Sequence, residues 1–321
     1  MQLHPTTPLL ALAGALALVL VLSLALLIAD YAAPRRAARR WLRLERRLAR
    51  LHERQARVMQ FALPYLEGGH GETLVLVHGF GADKDNFTRL ARRLTPRLRV
   101  VVPDLSGFGD ASRDLQARYR IDDQVARLRL FLAGLGLERC HLGGNSMGGF
   151  IAAQYAATYP AAVQTLWLLD AAGCAAAYDN AIGRRYLASG EVPLLVRTPG
   201  EFDALLRVVM QHVPWLPHSL RHELARRAVA DFALHTRIFR EFTRESPTLE
   251  DRYAAIRAPT LIVWGREDQM LSPAAAAVMA ALIPRSELIL LPDTGHLPML
   301  ERPRAVAADY LRFLAAQGYG R

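Results

Sequence analysis

The stretch HLGGNSMGGF, residues 141–150, places Ser146 among four glycines in a chain otherwise rich in alanine and leucine. Glycine is unfavourable inside regular elements, so the cluster needs a structural reason. Residues 144–148 match the pattern G-x-S-x-G, between an apolar run that predicts a strand and a stretch that predicts a helix. There a serine occupies a strained turn with its hydroxyl at a helix N-terminus. The stretch predicts a nucleophile, and a glycine-rich turn without chemistry is the alternative.

Apolar runs alternate with helical stretches around this motif. Six runs predict buried strands followed by loops, at residues 73–79, 99–107, 140–146, 165–173, 260–268 and 287–296. Residues 121–137 and 148–160 predict helices between them. This alternation predicts an α/β fold with a mostly parallel sheet flanked by helices, where ligands bind at the carboxyl ends of the strands.

One long segment interrupts the alternation. Residues 175–257 contain no convincing strand, and stretches such as EFDALLRVVMQHV predict helices separated by prolines. We expect a helical insertion that covers the carboxyl edge of the sheet as a lid. The core is then divided into residues 61–174 and residues 258–321.

The nucleophile needs a base, because a serine hydroxyl reacts poorly until its proton is removed. The base is usually a histidine oriented by a carboxylate, and in this motif class the chain order is serine, acid, histidine. His296, in PDTGHLP, follows a late strand, whereas the other histidines after the serine fall in the insertion. We therefore predict Ser146 as the nucleophile and His296 as its base.

Two carboxylates compete to orient His296. Asp268 ends the stretch WGRED after the penultimate strand, and Asp170 ends the strand that follows the nucleophile. We favour Asp268, because the turn after its strand exposes it toward a neighbouring loop. Asp170 is then an ordinary strand-end acid, and Glu267 and Asp293 are lesser alternatives.

The oxyanion that forms during acyl transfer needs hydrogen-bond donors. The backbone N–H of Met147, directly after the nucleophile, supplies one. The loop HGFGADKDNF, residues 78–87, places the N–H of Phe80 where the second belongs. We expect His78 and Asp104 to hold loops by hydrogen bonds rather than to react.

The histidines and cysteines indicate whether the protein binds a metal or forms disulfides. His218 and His222 are four residues apart in the insertion, a spacing that suits a metal, but no third ligand pattern accompanies them and we expect no metal. Cys140 and Cys174 are too few for a disulfide framework. We expect free thiols in a reducing compartment, with a single bridge as the alternative.

The chain begins with an apolar segment. Residues 9–29 carry no charge and, at about 1.5 Å per residue, cross the roughly 30 Å hydrocarbon core of a bilayer. A cleaved signal peptide is the alternative, but it needs a basic start, and residues 1–8 contain no Lys or Arg. We assign residues 1–30 to a single transmembrane anchor. Because arginines follow it directly, we expect the catalytic body on the cytoplasmic side of the inner membrane.

Basic charge is concentrated in an arm that begins at Arg35 and ends at Arg57. The arm holds ten arginines against two glutamates, whereas the whole chain has a net charge of only +10. The rest of the chain is nearly neutral. Because the basic charge is confined to the arm beside the apolar segment, it favours an anionic membrane surface as the arm's partner and argues against nucleic acid.

The arm also has helical periodicity. Trp41, Leu44, Leu48 and Leu51 recur at steps of three and four and form one apolar stripe. We expect a basic amphipathic juxtamembrane helix over residues 31–60 that lies on anionic headgroups. A solvated linker helix is the alternative.

From Phe61 onward, these motifs together resemble the α/β-hydrolase fold family. The stretches HGFGADKDNF, IDDQVARLRLFLAGLGL, GNSMGG and TGHLPMLERP resemble the membrane-anchored monoacylglycerol lipase branch and related bacterial lipases. The resemblance implies hydrolysis of a monoacylglycerol or similar lipid ester without a cofactor. The triad and oxyanion positions that it carries over are Ser146, Asp268, His296, Phe80 and Met147.

A second resemblance competes. GNSMGG also occurs in carbon–carbon bond hydrolases of aromatic ring-cleavage products, which usually have another oxyanion loop and an aromatic residue after the histidine. Here the loop is HGFGADKD and Leu297 follows the histidine, so a lipase is favoured. Dehalogenases and epoxide hydrolases carry an aspartate where this chain has Ser146. A carbon–carbon bond hydrolase, a general carboxylesterase and a non-catalytic membrane scaffold are the alternatives.

Overall fold

A computed structural model describes residues 7–319 of the protein, so residues 1–6 of the predicted anchor and residues 320–321 lie outside the described part. Helix α1 (Thr7–Ala32) contains the apolar run. By length and composition alone, its segment Leu12–Ala32 is apolar enough to cross a membrane, and none of that segment is buried against the rest of the protein.

The basic arm is only partly helical. Helix α2 (Pro34–Leu48) ends well before residue 60, and strand β1 (Leu51–Val58) follows it. The prediction of a helix over residues 31–60 is therefore wrong in its second half. Residues 51–58 form a strand because β1 pairs along its full length with the next strand. This tertiary pairing satisfies the backbone hydrogen bonds of β1. The body that contains the sheet thus begins near residue 51 rather than residue 61.

The core is an eight-stranded sheet in the order β1-β2-β4-β3-β5-β6-β7-β8. The remaining strands are β2 (Phe61–Gly68), β3 (Thr73–Val77), β4 (Arg99–Pro103), β5 (Cys140–Asn145), β6 (Val163–Leu169), β7 (Thr260–Gly265) and β8 (Ser286–Leu291). Strand β2 runs antiparallel to β1 and β4, whereas β4 to β8 form a parallel sheet with β3. The predicted, mostly parallel α/β fold is confirmed. Sequence periodicity missed the two antiparallel strands at its edge.

Helices cover both faces of the sheet. They are α3 (Thr88–Leu94), α4 (Ile121–Gly134), α5 (Met147–Thr158), α10 (Ala274–Leu282), α11 (Pro298–Glu301) and α12 (Pro303–Ala316). Alternate side chains of each central strand enter opposite hydrophobic cores: Val75 and Leu142 pack on one face, and Leu74 and Leu76 on the other. Burial on both faces explains why these strands are continuous apolar runs in the sequence.

The segment between β6 and β7 is helical. It contains α6 (Ala181–Ser189), α7 (Pro199–Val209), α8 (His218–Ala230) and α9 (Phe232–Arg244), and no described residue in it belongs to a strand. We refer to residues 175–257 as the lid. Phe239 and Phe242 of the lid pack into the core cluster that contains Met147 and Phe150, so the lid covers the end of β5.

Candidate active site

Ser146 occupies a sharp turn between β5 and α5. Its φ of 55° and ψ of −121° are strained for a residue with a side chain, and such strain is often found at functional sites. The surrounding glycines make the turn possible. A Cβ on Gly144 would lie 2.2 Å from the carbonyl oxygen of Gly148, and a Cβ on Gly148 would lie 2.1 Å from that of Val77. The glycines are therefore a steric requirement of this turn.

His296 lies in the loop between β8 and α11 and is oriented by Asp268. The Nδ1 atom of His296 is 2.8 Å from Oδ2 of Asp268, and both residues are buried. The other oxygen of Asp268, Oδ1, accepts hydrogen bonds from the backbone N–H groups of Met270 and Leu271, at 2.8 and 3.0 Å. These donors fix the carboxylate plane, so Oδ2 faces the imidazole.

Asn145 connects the serine turn to the histidine loop. Its Nδ2 donates to the carbonyl oxygens of Leu169 and His296, both at 3.1 Å. Ser146 and His296 also line the same cavity. Sequence reasoning missed Asn145, because it occupies a variable position of G-x-S-x-G and nothing in the pattern distinguishes it.

The loop after β3 passes alongside Ser146. A Cβ on Gly79 would lie 3.2 Å from the Cβ of Ser146, which places the neighbouring Phe80 backbone next to this serine. Met147 is the first residue of α5, where backbone N–H groups have no partner within the helix. The structure therefore places the backbone of Phe80 and Met147 close to Ser146, and their role as oxyanion donors stays a prediction.

His78 holds this loop in place, as its position suggested. The backbone N–H of Leu105 donates to its Nε2 at 3.0 Å, so the ring proton lies on Nδ1, which is 2.8 Å from the carbonyl oxygen of Gly79. Burial lowers the pKa of His78, which favours this neutral form. His78 thus supports the loop through hydrogen bonds.

A buried ion pair supports the far end of the same loop. Asp104 accepts from the backbone N–H of Lys84 at 2.7 Å and from its Nζ at 2.8 Å, and both side chains are fully buried. Nζ of Lys84 also lies 2.7 Å from Asp110. Burial opposes the charge of Lys84, yet Asp104 and the nearby carboxylates outweigh it and raise its pKa. Asp104 therefore shapes the loop, as expected.

The alternative acids have other partners. Oδ1 of Asp170 accepts from the backbone N–H of Gly265 at 2.9 Å, and burial together with Asp268 raises the pKa of Asp170 well above its usual value. Glu267 accepts from the N–H of Thr294 at 2.9 Å, and Asp293 is an exposed partner of His212. Asp268 is therefore the carboxylate that faces His296.

Asp170, Asp268 and His296 offer ligand atoms within 4.8 Å of one another, a spacing that could hold a metal ion. The oxygens of Asp268 already have hydrogen-bond partners, however, because His296 and two backbone N–H groups bind this carboxylate. Burial and the neighbouring Asp268 also raise the pKa of Asp170, which disfavours a second carboxylate charge beside Asp268. The other candidate metal ligand, His218, stacks on Tyr31 with ring centroids 4.1 Å apart.

The cavity at Ser146 extends to α2. Its wall includes Leu206 and Met210 from the lid, and Ala38 and Leu42 from α2. Apolar side chains dominate these positions, which suits an acyl chain. Sequence reasoning did not foresee α2 as a wall of the site, because the residues that line the cavity lie outside the predicted apolar stripe, of which Leu44 and Leu48 are exposed.

Glu301 attaches the lid to the histidine loop. Its Oε1 accepts from the backbone N–H of Gly295 at 3.0 Å and its Oε2 from that of His212 at 2.9 Å. Alongside, the N–H of His296 donates to the carbonyl oxygen of Val209 at 2.9 Å. The C-terminal end of α7 is thus bonded directly to the loop that positions the imidazole.

The sequence matches known hydrolases. Residues 72–303 match the family described as alpha/beta hydrolase fold. The chain is 38% identical to Lipase 3 of Moraxella sp. (strain TA144) over 76% of this chain and 77% of that lipase. It is 31% identical to the monoacylglycerol lipase ABHD6 of Homo sapiens, over 77% of each protein.

Solved structures of hydrolases have the same fold as this chain. The chain superposes with a TM-score of 0.87 on a membrane phospholipase A described as a bacterial virulence factor, with 41% identity, 95% of this chain and 99% of that chain covered. A meta-cleavage product hydrolase from Pseudomonas fluorescens superposes with a TM-score of 0.69 over 82% of this chain and 97% of that one. Its 23% identity shows a common fold alone.

Proposed function

The chain belongs to the α/β-hydrolase fold family and is a lipase-type ester hydrolase, and we propose that it is membrane-anchored and cleaves carboxylic esters of lipids, above all monoacylglycerols. The observation that carries the proposal is the cavity that joins Ser146 to α2. Only the residue Ala33 separates α2 from the apolar helix α1. An acyl chain that leaves a bilayer beside α1 would therefore meet the reactive serine without crossing bulk water.

In the proposed reaction, Ser146 Oγ attacks the ester carbonyl carbon while His296 removes its proton through Nε2. Asp268 holds the imidazole through Nδ1 and stabilises its positive charge. The N–H groups of Phe80 and Met147 bind the oxyanion of the tetrahedral intermediate. His296 then protonates the leaving alcohol, and an acyl-enzyme on Ser146 remains. Water activated by the same histidine releases the fatty acid.

The proposed location is the inner membrane, with α1 as the single span and the body on the cytoplasmic side. The arginines directly after α1 support this orientation. The arm is not freely solvated, since Ala37 and Ala38 are buried, but Arg36, Arg40 and Arg43 are exposed. These exposed arginines are available to anionic headgroups.

A phospholipid is the second candidate substrate. The cavity wall includes Arg35 and Arg39, two exposed guanidinium groups on α2 that suit a phosphate group. The membrane phospholipase A named above, with 41% identity, gives independent support for this candidate. In either case the bond cleaved is a carboxylic ester, so the same serine chemistry applies.

The test is a panel of esters assayed with the wild type and with Ser146→Ala. The panel holds monoacylglycerols and phospholipids of several chain lengths, short soluble esters, and a carbon–carbon substrate of the ring-cleavage type. We expect the wild type to prefer the monoacylglycerols and Ser146→Ala to lose about a thousandfold in kcat/KM or more. Ser189→Ala, at an exposed serine on the lid, is the matched control. Undiminished ester hydrolysis by Ser146→Ala would show that another residue is the nucleophile.

A further inference from the structure

An exposed apolar segment of the lid lies between α7 and α8. We call residues 213–217 the Trp215 segment. Trp215 is 71% exposed, and the adjoining Val213 is 42% exposed. An indole left this exposed needs a reason, because tryptophan is among the costliest side chains to leave in water.

Three contacts hold this segment and the start of α8 beside the end of α1 and beside α2. Oδ2 of Asp30, in the last turn of α1, accepts from the backbone N–H of Ser219 at 3.2 Å. The ring of Tyr31 stacks on that of His218, with centroids 4.1 Å apart. The lid is therefore bonded to the point where the apolar helix gives way to polar sequence.

The third contact joins two tryptophans. The ring of Trp41 on α2 meets the ring of Trp215 edge to face, with centroids 5.6 Å apart. The carbonyl oxygen of Trp215 also accepts from the guanidinium of Arg89 at 3.2 Å. Indole rings next to a span, with exposed arginines such as Arg40 and Arg43 on the same helix, are the composition of a membrane–water interface.

We propose that the Trp215 segment is a second membrane contact, with the side chains of Trp215 and Val213 in the headgroup region of the bilayer. The inference rests on the proposed function in one respect, which is that α1 spans a membrane. Given that span, the bonds of Asp30 and Tyr31 to α8 hold the segment at the depth of the interface.

The contact has a consequence for substrate entry. Pro214 and Leu216, on either side of Trp215, line the cavity together with Ala38 and Leu42 of α2. Trp215 itself is outside that lining and lies at its rim. A segment embedded in headgroups would turn the mouth between the lid and α2 toward the lipid, so the lid edge and the anchor together form the entrance.

Fluorescence quenching tests the placement directly. The full-length protein is reconstituted in vesicles of phosphatidylethanolamine and phosphatidylglycerol that contain lipids brominated near the headgroup end of their chains. Trp167 and Trp264 are fully buried, so Trp41→Phe isolates Trp215 as the accessible indole. We expect strong quenching in Trp41→Phe and its loss in Trp41→Phe/Trp215→Phe. Equal quenching in the two variants, as when a second copy of the chain covers Trp215, overturns the proposal.

Activity gives an independent measurement. We expect Trp215→Glu to lower hydrolysis of a long-chain ester in the bilayer about tenfold, because a carboxylate opposes entry into an anionic interface. Hydrolysis of a soluble short-chain ester should stay within about twofold, because the reactive groups are untouched. Leu187→Glu, at an 81% exposed leucine on α6, is the matched control and should alter neither rate. An equal effect of both substitutions contradicts a specific contact.

The two proposals fail in different ways. If alkaline carbonate extracts the wild type from the membrane, α1 does not span it. The proposed anchor and this inference would then both be wrong. Retention of the wild type in the membrane, with lipid hydrolysis that depends on Ser146 but no quenching of Trp215, would overturn the membrane contact alone.

Discussion

The carboxyl groups of Asp170 and Asp268 lie side by side in the interior, with one oxygen of each within 4.8 Å of the other. Two buried carboxylates at this separation do not both ionise readily. Asp268 receives one histidine and two backbone N–H groups, whereas Asp170 receives one N–H at Oδ1. Burial and the neighbouring Asp268 raise the pKa of Asp170, so Asp170 keeps its proton to a higher pH than an exposed aspartate does.

The raised pKa of Asp170 predicts a pH dependence of stability. Its pKa is raised by burial and by Asp268, so above about pH 4 the unfolded chain loses a proton that the folded chain keeps. The free energy of unfolding then falls as pH rises toward the folded pKa. Asp170→Asn keeps the acceptor for Gly265 and removes this proton. We expect the variant to gain stability relative to the wild type between pH 5 and pH 8, measured by chemical denaturation in detergent.

Asp114→Asn provides the control for that slope. Hydrogen bonds from the backbone N–H of Gln116 and from the side chain of Gln60 lower the pKa of Asp114, so its contribution is complete above about pH 4 and is lost only in acid. Its stability difference from the wild type should stay constant between pH 5 and pH 8. A constant difference for Asp170→Asn as well would mean that Asp170 is not protonated.

The serine turn predicts an intolerance of side chains at position 148. The Cβ of Gly148→Ala would lie 2.1 Å from the backbone oxygen of Val77, which cannot move without disrupting β3. We expect a loss of about 3 kcal/mol or more of stability, with activity abolished. Gly134→Ala is the matched control, because its Cβ meets nothing within 4 Å. Full activity of Gly148→Ala would contradict the close approach of the two backbones.

The buried pair of Lys84 and Asp104 predicts a large effect from removing its cation. Lys84→Met leaves Asp104 charged and without a counterion in the interior, which costs about 3–5 kcal/mol of stability. Lys84→Met/Asp104→Asn should recover part of that loss, since no uncompensated charge remains. Arg184→Met, in an exposed ion pair with Asp179, should have no measurable effect. Equal denaturation midpoints for Lys84→Met and the wild type would contradict this account.

Glu301 predicts a coupling between the lid and the histidine loop. Glu301→Ala leaves the N–H groups of Gly295 and His212 without their acceptor. We expect hydrogen exchange at both segments to quicken by about tenfold, and kcat to fall because His296 is held less firmly. Glu287→Ala, at an exposed position on β8, is the control. Unchanged exchange at residues 209–212 would show that the lid is held by other contacts.

The local pattern alone determined several features. The glycines at 144 and 148, the order of Ser146, Asp268 and His296, and the six apolar runs predicted the parallel sheet and the candidate site. These features follow from near-neighbour physics, because a strained turn requires glycine beside it and a strand buried on both faces requires a continuous apolar run. A parallel sheet then brings the loops at its carboxyl ends together.

Tertiary structure decided what each element packs against. Leu51 fits the helical stripe of the arm, yet it begins β1, because pairing with β2 satisfies a whole strand of backbone groups. The pKa of Asp170 is raised by burial and by Asp268, which lies in the loop after a different strand, β7. Ala38 and Leu42 of α2 line the cavity of Ser146, whereas Leu44 and Leu48 of the predicted apolar stripe are exposed. Trp41 of that stripe meets Trp215 of the lid. Each outcome depends on groups distant in sequence, and local periodicity carries no information about them.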